Sequence, residues 1–554
     1  MTEKTALDCC YDWETKTPDR IWLTQPLGGG QVRTFTWRQA LDEARRMAAH
    51  LRSLALPPGS HIALFSKNSA WWVLADLAIW MAGHVSVPLF ATLTPTSIRQ
   101  ILEHSESVLI FIGKLDGFAE MEPGIPEGLP RIRLPLAPDT AGERWEEIIA
   151  RTPPLEGQVR RELDELATII YTSGSTGVPK GAMHSFATLS RPARGIIALL
   201  GIRDDDRMLS YLPLAHVFER WIGEVTTLTG GYQLFFAESL ETFQQDLQRA
   251  RPTLFISVPR LWLKFQAGVY KKMPPAKLAR LLKIPLLNRI VRKKILTALG
   301  LDQIRFAGSG SAPIPAELIA WYRGLGLELL EGYGMTENLC YSHLSRPGQV
   351  RPGYVGQPYP DVQQRISPEG EVQLRGPGNM LGYYKNPELT QEAFTEDGWL
   401  RTGDRGEIDE IGRLKLTGRL KEQFKTSKGK YVVPAPIENK LLLHQEIEQA
   451  VVSGSGMEAA YALVLPSETV RAELRQDPGA KERLGARLEE IRREVNGGLD
   501  HHEQLQFLAV TNDEWTIESG ILTPTMKIKR QAIEGRYGEQ VPSWYATRQT
   551  IVWL

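Results

Sequence analysis

The sequence predicts an α/β fold with mostly parallel sheets, divided into at least two domains. Three observations carry this. Short apolar runs recur at HIALFS (61–66), SVLIFI (107–112), LATIIYTS (166–173) and TLFISV (253–258), each the length of a buried strand. Helical periodicity fills the gaps, as in TWRQALDEARRMAAHLRSL (36–54), and strands alternating with helices build parallel sheets. The 554 residues also exceed one hydrophobic core, since single cores stop growing near roughly 250–300 residues.

The N-terminal MTEKTALDCCYDWETKTPDR lacks an apolar core, so it does not read as a secretion signal. Cys9, Cys10 and Cys340 form neither a disulfide framework nor a zinc pattern, and a reducing cytoplasm is expected. The most apolar stretch, AWWVLADLAIWMAGHVSVPLF (70–90), is interrupted by Asp76, Gly83, His84 and Pro88. A membrane span needs about 20 mostly apolar residues, so this stretch reads as a buried helix running into a buried strand. Composition is that of an ordinary soluble domain, 42% hydrophobic and 23% charged. The 65 Lys+Arg balance the 65 Asp+Glu, which argues against a general nucleic-acid binder.

One segment departs from that balance. KKMPPAKLARLLKIPLLNRIVRKK, 271–294, holds nine Lys/Arg, no acidic residue, and interleaved Leu, Ile and Pro. Residues 271–296 are therefore a candidate for peripheral contact with the anionic inner face of a membrane. The alternative is a solvated basic face on ordinary helices. Near residue 400 the texture changes again. DGWLRTGDRGEIDEIGRLKLTGRLKEQFK (397–425) reads as two short strands joined by DEIG, then a polar joint. The main boundary is placed there, giving domains 1–420 and 421–554, the second a small α/β cap.

YTSGSTGVPKGAMHS, 171–185, follows the apolar run LATII. A strand entering a glycine-rich turn suits a phosphate cradle: Gly174 and Gly177 let backbone N–H groups approach an anion. Thr172, Ser173, Ser175 and Thr176 add hydroxyls, and Lys180 adds a cation. The loop is not a Walker A motif, because Pro179-Lys180-Gly181 stands where Gly-Lys-Ser/Thr is needed. Nor is GSGSAP (308–313) a dinucleotide fingerprint, with Pro313 at the last glycine place.

YTSGSTGVPKG resembles the phosphate-loop signature of the adenylate-forming superfamily, which includes acyl-CoA synthetases, firefly-type luciferases and peptide-synthetase adenylation domains. Further motifs follow in that superfamily's order, and the resemblance runs from about residue 30 to 535. LPLAHVFER (212–220) resembles a segment best kept in fatty-acid-activating members, and implies that His216 borders the acyl site. AGSGSAPIP (307–315) resembles the strip along the adenine, implicating Gly308, Ser309 and Gly310. LLEGYGMTE (329–337) implies Tyr333 and Gly334 against the adenine and Thr336 on the α-phosphate. It also implies Glu337, with Thr172, at Mg²⁺. RTGDRGEI (401–408) places Asp404 on the ribose hydroxyls, and Arg419 meets ribose or phosphate. Lys421 occupies the hinge position, and KTSKGKYV (425–432) resembles the loop of thioester formation, with Gly429 beside the pantetheine tunnel. ILTPTMKIKR (521–530) aligns Lys527 with the catalytic lysine, although Lys529 and Arg530 stand close by.

The resemblance thus implies the adenylate-forming fold, a large multi-subdomain N-terminal domain with a small mobile C-terminal domain. It implies a ligase using ATP, Mg²⁺ and coenzyme A. The expected chemistry is activation of a carboxylic acid to acyl-AMP and then acyl-CoA, with release of pyrophosphate and AMP. LPLAHVFER, the long closing motif and the basic segment favour a long-chain fatty acid. Asn338 and Leu339 depart from the Thr or Ser common after the motif's Glu. An aryl or other acid, a carrier-protein acceptor, and a silent nucleotide-binding protein on the same fold stay open as rivals.

Overall fold

The computed structural model describes residues 3–173, 179–517, 519–523 and 527–554. The chain packs as two units, one of residues 1–364 and 374–400, the other of 365–373 and 401–554.

Two large sheets organise the first unit. In one, the strands Leu329–Tyr333, Phe306–Ser309, Leu254–Ser257, Arg207–Ser210, Gln233–Phe236 and Ile21–Gly28 lie side by side and parallel. In the other, Leu166–Ser173, Val85–Leu89, His61–Phe65 and Leu109–Ile112 are parallel neighbours. The four apolar runs picked from the sequence are all strands of these sheets. The periodic segment 36–54 is the helix Trp37–Ser53, opened by a reciprocal cap in which Thr36 and Gln39 bond each other's backbone N–H.

The apolar stretch 70–90 is the expected pair of elements. The helix Ala70–Ala82 is buried from Ala70 to Met81, ends on Gly83 at φ 92°, and leads into the strand Val85–Leu89. Its one charge has a partner. The Arg220 guanidinium donates to Asp76 Oδ2 at 2.7 Å and to Ser86 Oγ at 2.8 Å, and the Arg220 and Asp76 side chains are both 0% exposed. The same guanidinium lies 5.1 Å and 5.7 Å from the ring centroids of Trp72 and Trp80. Arg220 belongs to LPLAHVFER and opens a π-helical turn, Arg220–Val225, so the motif is tied to the core of the other sheet. Burial, with the Asp76 charge nearby, pushes the Glu224 carboxyl in that turn well above the carboxylate range. Arg220 Nε also lies 3.9 Å from Glu224 Oε2.

The second unit holds a four-stranded sheet ordered Gln363–Ile366, Glu371–Arg375, Leu400–Ile408, Leu414–Arg419, whose ends straddle the division between units. DEIG is the turn between the last two strands. Asp409 Oδ1 accepts from the N–H groups of Ile411 (3.2 Å) and Arg413 (2.9 Å). A further sheet, Ile447–Ser453, Ala460–Pro466, Leu505–Val510 and Ile551–Trp553, carries the helices Glu468–Gln476 and Ala480–Gly497.

Removing one member of a buried ion pair strands the other without water. Arg220→Ala is expected to cost about 3–5 kcal/mol, read as a shift in urea unfolding. Asp76→Asn in the same background should restore part of the loss, and failure to do so would remove the pair from this role.

Candidate active site

The strands Leu166–Ser173 and Pro179–Ser185 pair antiparallel with Thr172 opposite Lys180. The strands on either side of the glycine-rich motif are therefore the two arms of a hairpin. Gly174, Ser175, Thr176 and Gly177 lie outside the described residues. Just beyond the tip, Gly181 is required by packing, since a Cβ there would sit 2.6 Å from Ile169 Cγ2. Tyr383, on the strand paired along the hairpin's outer edge, has its ring centroid 5.9 Å from the Lys180 ammonium.

The other sheet supplies the facing elements. Gly308, Ser309 and Gly310 lie at the carboxyl end of Phe306–Ser309, and Tyr333 and Gly334 at the end of its parallel neighbour Leu329–Tyr333. This is the edge where open α/β sheets bind ligands. Gly334 has no alternative residue, because a Cβ would meet the Cys340 backbone at 2.4–2.6 Å. The Tyr333 ring is half-buried, with its centroid 6.1 Å from that of His343.

A short turn, Thr336–Asn338, follows and is fixed at three points. Met335 N–H donates to Asn338 Oδ1 at 2.9 Å. His184 Nε2 donates to the Thr336 carbonyl at 2.9 Å. Tyr383 OH donates to Glu337 Oε1 at 2.7 Å. Burial, reinforced by the Glu337 charge, raises the Tyr383 phenol above its ordinary range, so it keeps the proton it donates. His184 and Tyr383 escaped the sequence reading. His184 sits inside the quoted loop motif, where it looked like one more polar residue. Tyr383 lies in NMLGYYKNP, which carries no chemical signature.

His216 caps the short helix Val217–Glu219, with Nδ1 accepting from Phe218 N–H at 3.1 Å. That bond puts the proton of the neutral ring on Nε2. The Phe90 ring lies against it edge-on, with centroids 6.3 Å apart.

The second unit holds the remaining candidates. Asp404 is 6% exposed and opposes Arg419 across the hairpin, with Arg419 Nε 2.9 Å from Asp404 Oδ1. Gly429 sits at φ 76° in the turn joining Phe424–Lys425 to Tyr431–Val432, its N–H donating to the Thr426 carbonyl. Lys527 is exposed and is held at its backbone by Thr523. Thr523 N–H donates to the Lys527 carbonyl at 2.8 Å, and Lys527 N–H donates to Thr523 Oγ1 at 3.0 Å. Arg530 is engaged elsewhere, its Nη2 donating to both Glu438 oxygens at 2.7 Å and 2.6 Å. Of the neighbouring cations that a slipped alignment confuses, Arg530 is thereby a structural residue.

The pattern of AMP-binding enzymes spans residues 10–384, and that of the AMP-binding enzyme C-terminal domain spans 421–549. The chain belongs to the AMP-binding enzyme family. This AMP-binding enzyme is 31% identical to a long-chain-fatty-acid–CoA ligase, FadD15, of Mycobacterium tuberculosis, over 97% of this chain and 96% of that one. It is 30% identical to human long-chain-fatty-acid–CoA ligase 1, over 92% and 81% of the two chains. Among solved structures it resembles the A domain of carboxylic acid reductase from Segniliparus rugosus, in complex with AMP and a co-purified carboxylic acid. The TM-score is 0.80 at 25% identity, covering 99% and 95% of the two chains.

Two outcomes follow from the fixed turn. A hydrogen bond to a charged group contributes about 1.5–3 kcal/mol. Tyr383→Phe should therefore lower kcat/KM for Mg-ATP roughly 10–100-fold, with the loss deepening as magnesium is withdrawn in a pyrophosphate-exchange titration. An unchanged magnesium dependence would detach Tyr383 from Glu337. The second outcome concerns pH. Burial lowers the His184 imidazole from 6.5 to about 4. The unfolded chain binds a proton there near 6.5 and the folded chain only near 4, so stability present above pH 6.5 is lost as pH falls toward 4. The difference amounts to about 3 kcal/mol, and His184→Gln should flatten that part of a stability–pH curve.

Proposed function

We propose that this enzyme joins a long-chain fatty acid to coenzyme A through an acyl-adenylate, consuming ATP and releasing pyrophosphate and AMP. One observation carries the reading: Thr336 and Glu337 are locked by His184 and Tyr383 beside the glycine-rich hairpin and its Lys180. Long, nearly full-length similarity to fatty-acid ligases supports the choice of acid.

A carboxylate resists nucleophiles because of its own charge, and adenylation removes that charge. One carboxylate oxygen attacks the α-phosphorus, the bond to the β-phosphate oxygen breaks, and pyrophosphate leaves. The protein's part is to orient the groups and stabilise charge on the phosphate oxygens. Lys180, the hairpin backbone and Thr336 do so in the first unit. Lys527 supplies a point cation shared by carboxylate and α-phosphate. Mg²⁺ fits the donor set, since it takes one or two carboxylates plus substrate phosphates rather than an all-protein cage. Glu337, with the Thr172 hydroxyl, would hold it, and when bound it neutralises phosphate charge.

Asp404 accepts from the ribose hydroxyls as a carboxylate suits, and Tyr333 stacks on the adenine. For the thioester step we place a hinge at Lys421, between an adenylation domain 1–420 and a cap 421–554. Lys527 withdraws and the loop 425–432 with Gly429 guides the thiol. The thiol then attacks the acyl carbonyl and AMP leaves. We place the enzyme in the cytoplasm, in peripheral contact with the membrane that holds its acid, through 271–296. No described helix is long and apolar enough to cross a membrane.

Pyrophosphate release with a panel of acids tests the substrate, and the same assay with coenzyme A against carrier protein tests the acceptor. Release only with aryl acids, or transfer only to carrier protein, would overturn the corresponding part. Lys527→Ala should abolish adenylate formation by a factor of 100 or more, on the order of a lost charged contact, while leaving thioester formation from pre-made acyl-adenylate nearly intact. Equal losses in both half-reactions would remove the assigned role.

A further inference from the structure

The basic segment is the place where the protein's surface chemistry is least balanced. It folds as the end of Pro259–Lys272, the helix Pro275–Lys283 and the helix Leu287–Leu299. Leu278, Val291, Ile295 and Leu299 point into the core, which anchors both later helices. Lys271, Lys272, Lys277, Arg280, Lys283, Arg289, Lys293 and Lys294 are exposed and Arg292 is half-buried. Among the described residues none of the nine makes an ion pair. Elsewhere the same unit pairs its arginines, as at Arg131–Glu122, Arg249–Asp246 and Arg251–Asp302. A solvated face of ordinary helices would show that mixture of signs.

Apolar groups stand in the middle of these cations. Where one helix hands over to the next, Ile284 is 46% exposed, Leu286 73% and Ile290 63%. Leu286 also takes φ 67°, the left-handed region that a bulky residue enters only at a cost. Glycine would hold that backbone without strain. A leucine in a strained turn, pointing outward, gains nothing from the fold and has apolar surface to offer elsewhere.

We propose that Ile284, Leu286 and Ile290 form a wedge that enters the interfacial layer of an anionic membrane, while the surrounding lysines and arginines bind lipid phosphates. The inference deepens the peripheral contact proposed above and rests on it. Nucleic acid is the weaker occupant, because it offers no partner for three exposed aliphatic side chains at the centre of the patch. Interfacial binding needs both parts, apolar insertion and attraction to anionic headgroups, and both are present within one turn and two helices.

The test is sedimentation of the full-length enzyme with vesicles. With phosphatidylglycerol mixed into phosphatidylcholine it should pellet at low salt and be released at high salt, and with phosphatidylcholine alone it should stay in solution. Arg280→Gln with Lys283→Gln should weaken partitioning by roughly fivefold for each cation removed. Leu286→Asp with Ile290→Asp should abolish it. Leu286→Gly separates function from structure: thermal stability should hold or rise, while vesicle binding falls. None of these variants touches the residues of the nucleotide site, so activation of a soluble medium-chain acid should be unchanged. Absence of wild-type binding at low salt, equal binding by the aspartate pair, or binding to RNA in place of vesicles would overturn the inference. A protein that binds vesicles yet activates no fatty acid would overturn the substrate reading alone.

Discussion

The buried contact of Arg220 with Asp76 and Ser86 is the constraint on which the large unit depends. It joins the π-helical turn after LPLAHVFER to the helix and strand at the heart of the other sheet. An ion pair taken wholly out of water gains little net stability, because desolvation consumes the attraction. What it imposes is position. With Arg220, Asp76 and Glu224 all wholly buried, any displacement of the turn would leave a bare charge among tryptophans. His216, four residues before Arg220, inherits that fixed position. So does the packing between the two sheets.

The site applies the same economy at its edge. Thr336 and Glu337 follow a strand end, where backbone carbonyls and side chains have no ladder partners. His184 from one sheet's hairpin takes the Thr336 carbonyl, and Tyr383 from that hairpin's neighbour takes the Glu337 carboxylate. Both partners are held in the protonation state the bond needs, His184 neutral and Tyr383 un-ionised, and burial is the leading cause in each. The Thr336 backbone and the Glu337 carboxylate are thus held by the fold itself, and electrostatic stabilisation without reorganisation requires groups so fixed.

The sequence exposed the strands, the buried helix 70–82 and the hairpin around DEIG, because their signals are local: apolar length, a glycine stop, turn chemistry. Its short motifs also single out Lys180, Tyr333, Thr336, Glu337, Asp404 and Lys527, the residues on which the proposed function places ligand contacts. It concealed His184, Tyr383 and the Arg220–Asp76 pair, for these act across 144 to 152 positions in two cases and 46 in the third. Nothing in a residue's own neighbourhood announces a partner at that separation. The pairing across residues 371–375 and 400–408 was concealed for the same reason. Polarity near Lys421 is local, whereas the pairing of Leu400–Ile408 with Glu371–Arg375 is not.

The closing motif illustrates how physical roles separate neighbours of like charge. Arg530 donates from Nη2 to both oxygens of Glu438 and from Nη1 to the Val452 carbonyl, so its guanidinium is a fixed part of the scaffold. A guanidinium so placed cannot leave without stranding a buried carboxylate. Lys527 carries a point charge on a flexible stem, and Thr523 bonds both its backbone N–H and its carbonyl. Arg530 thus holds a scaffold position in the closing motif, distinct from the catalytic role proposed for Lys527.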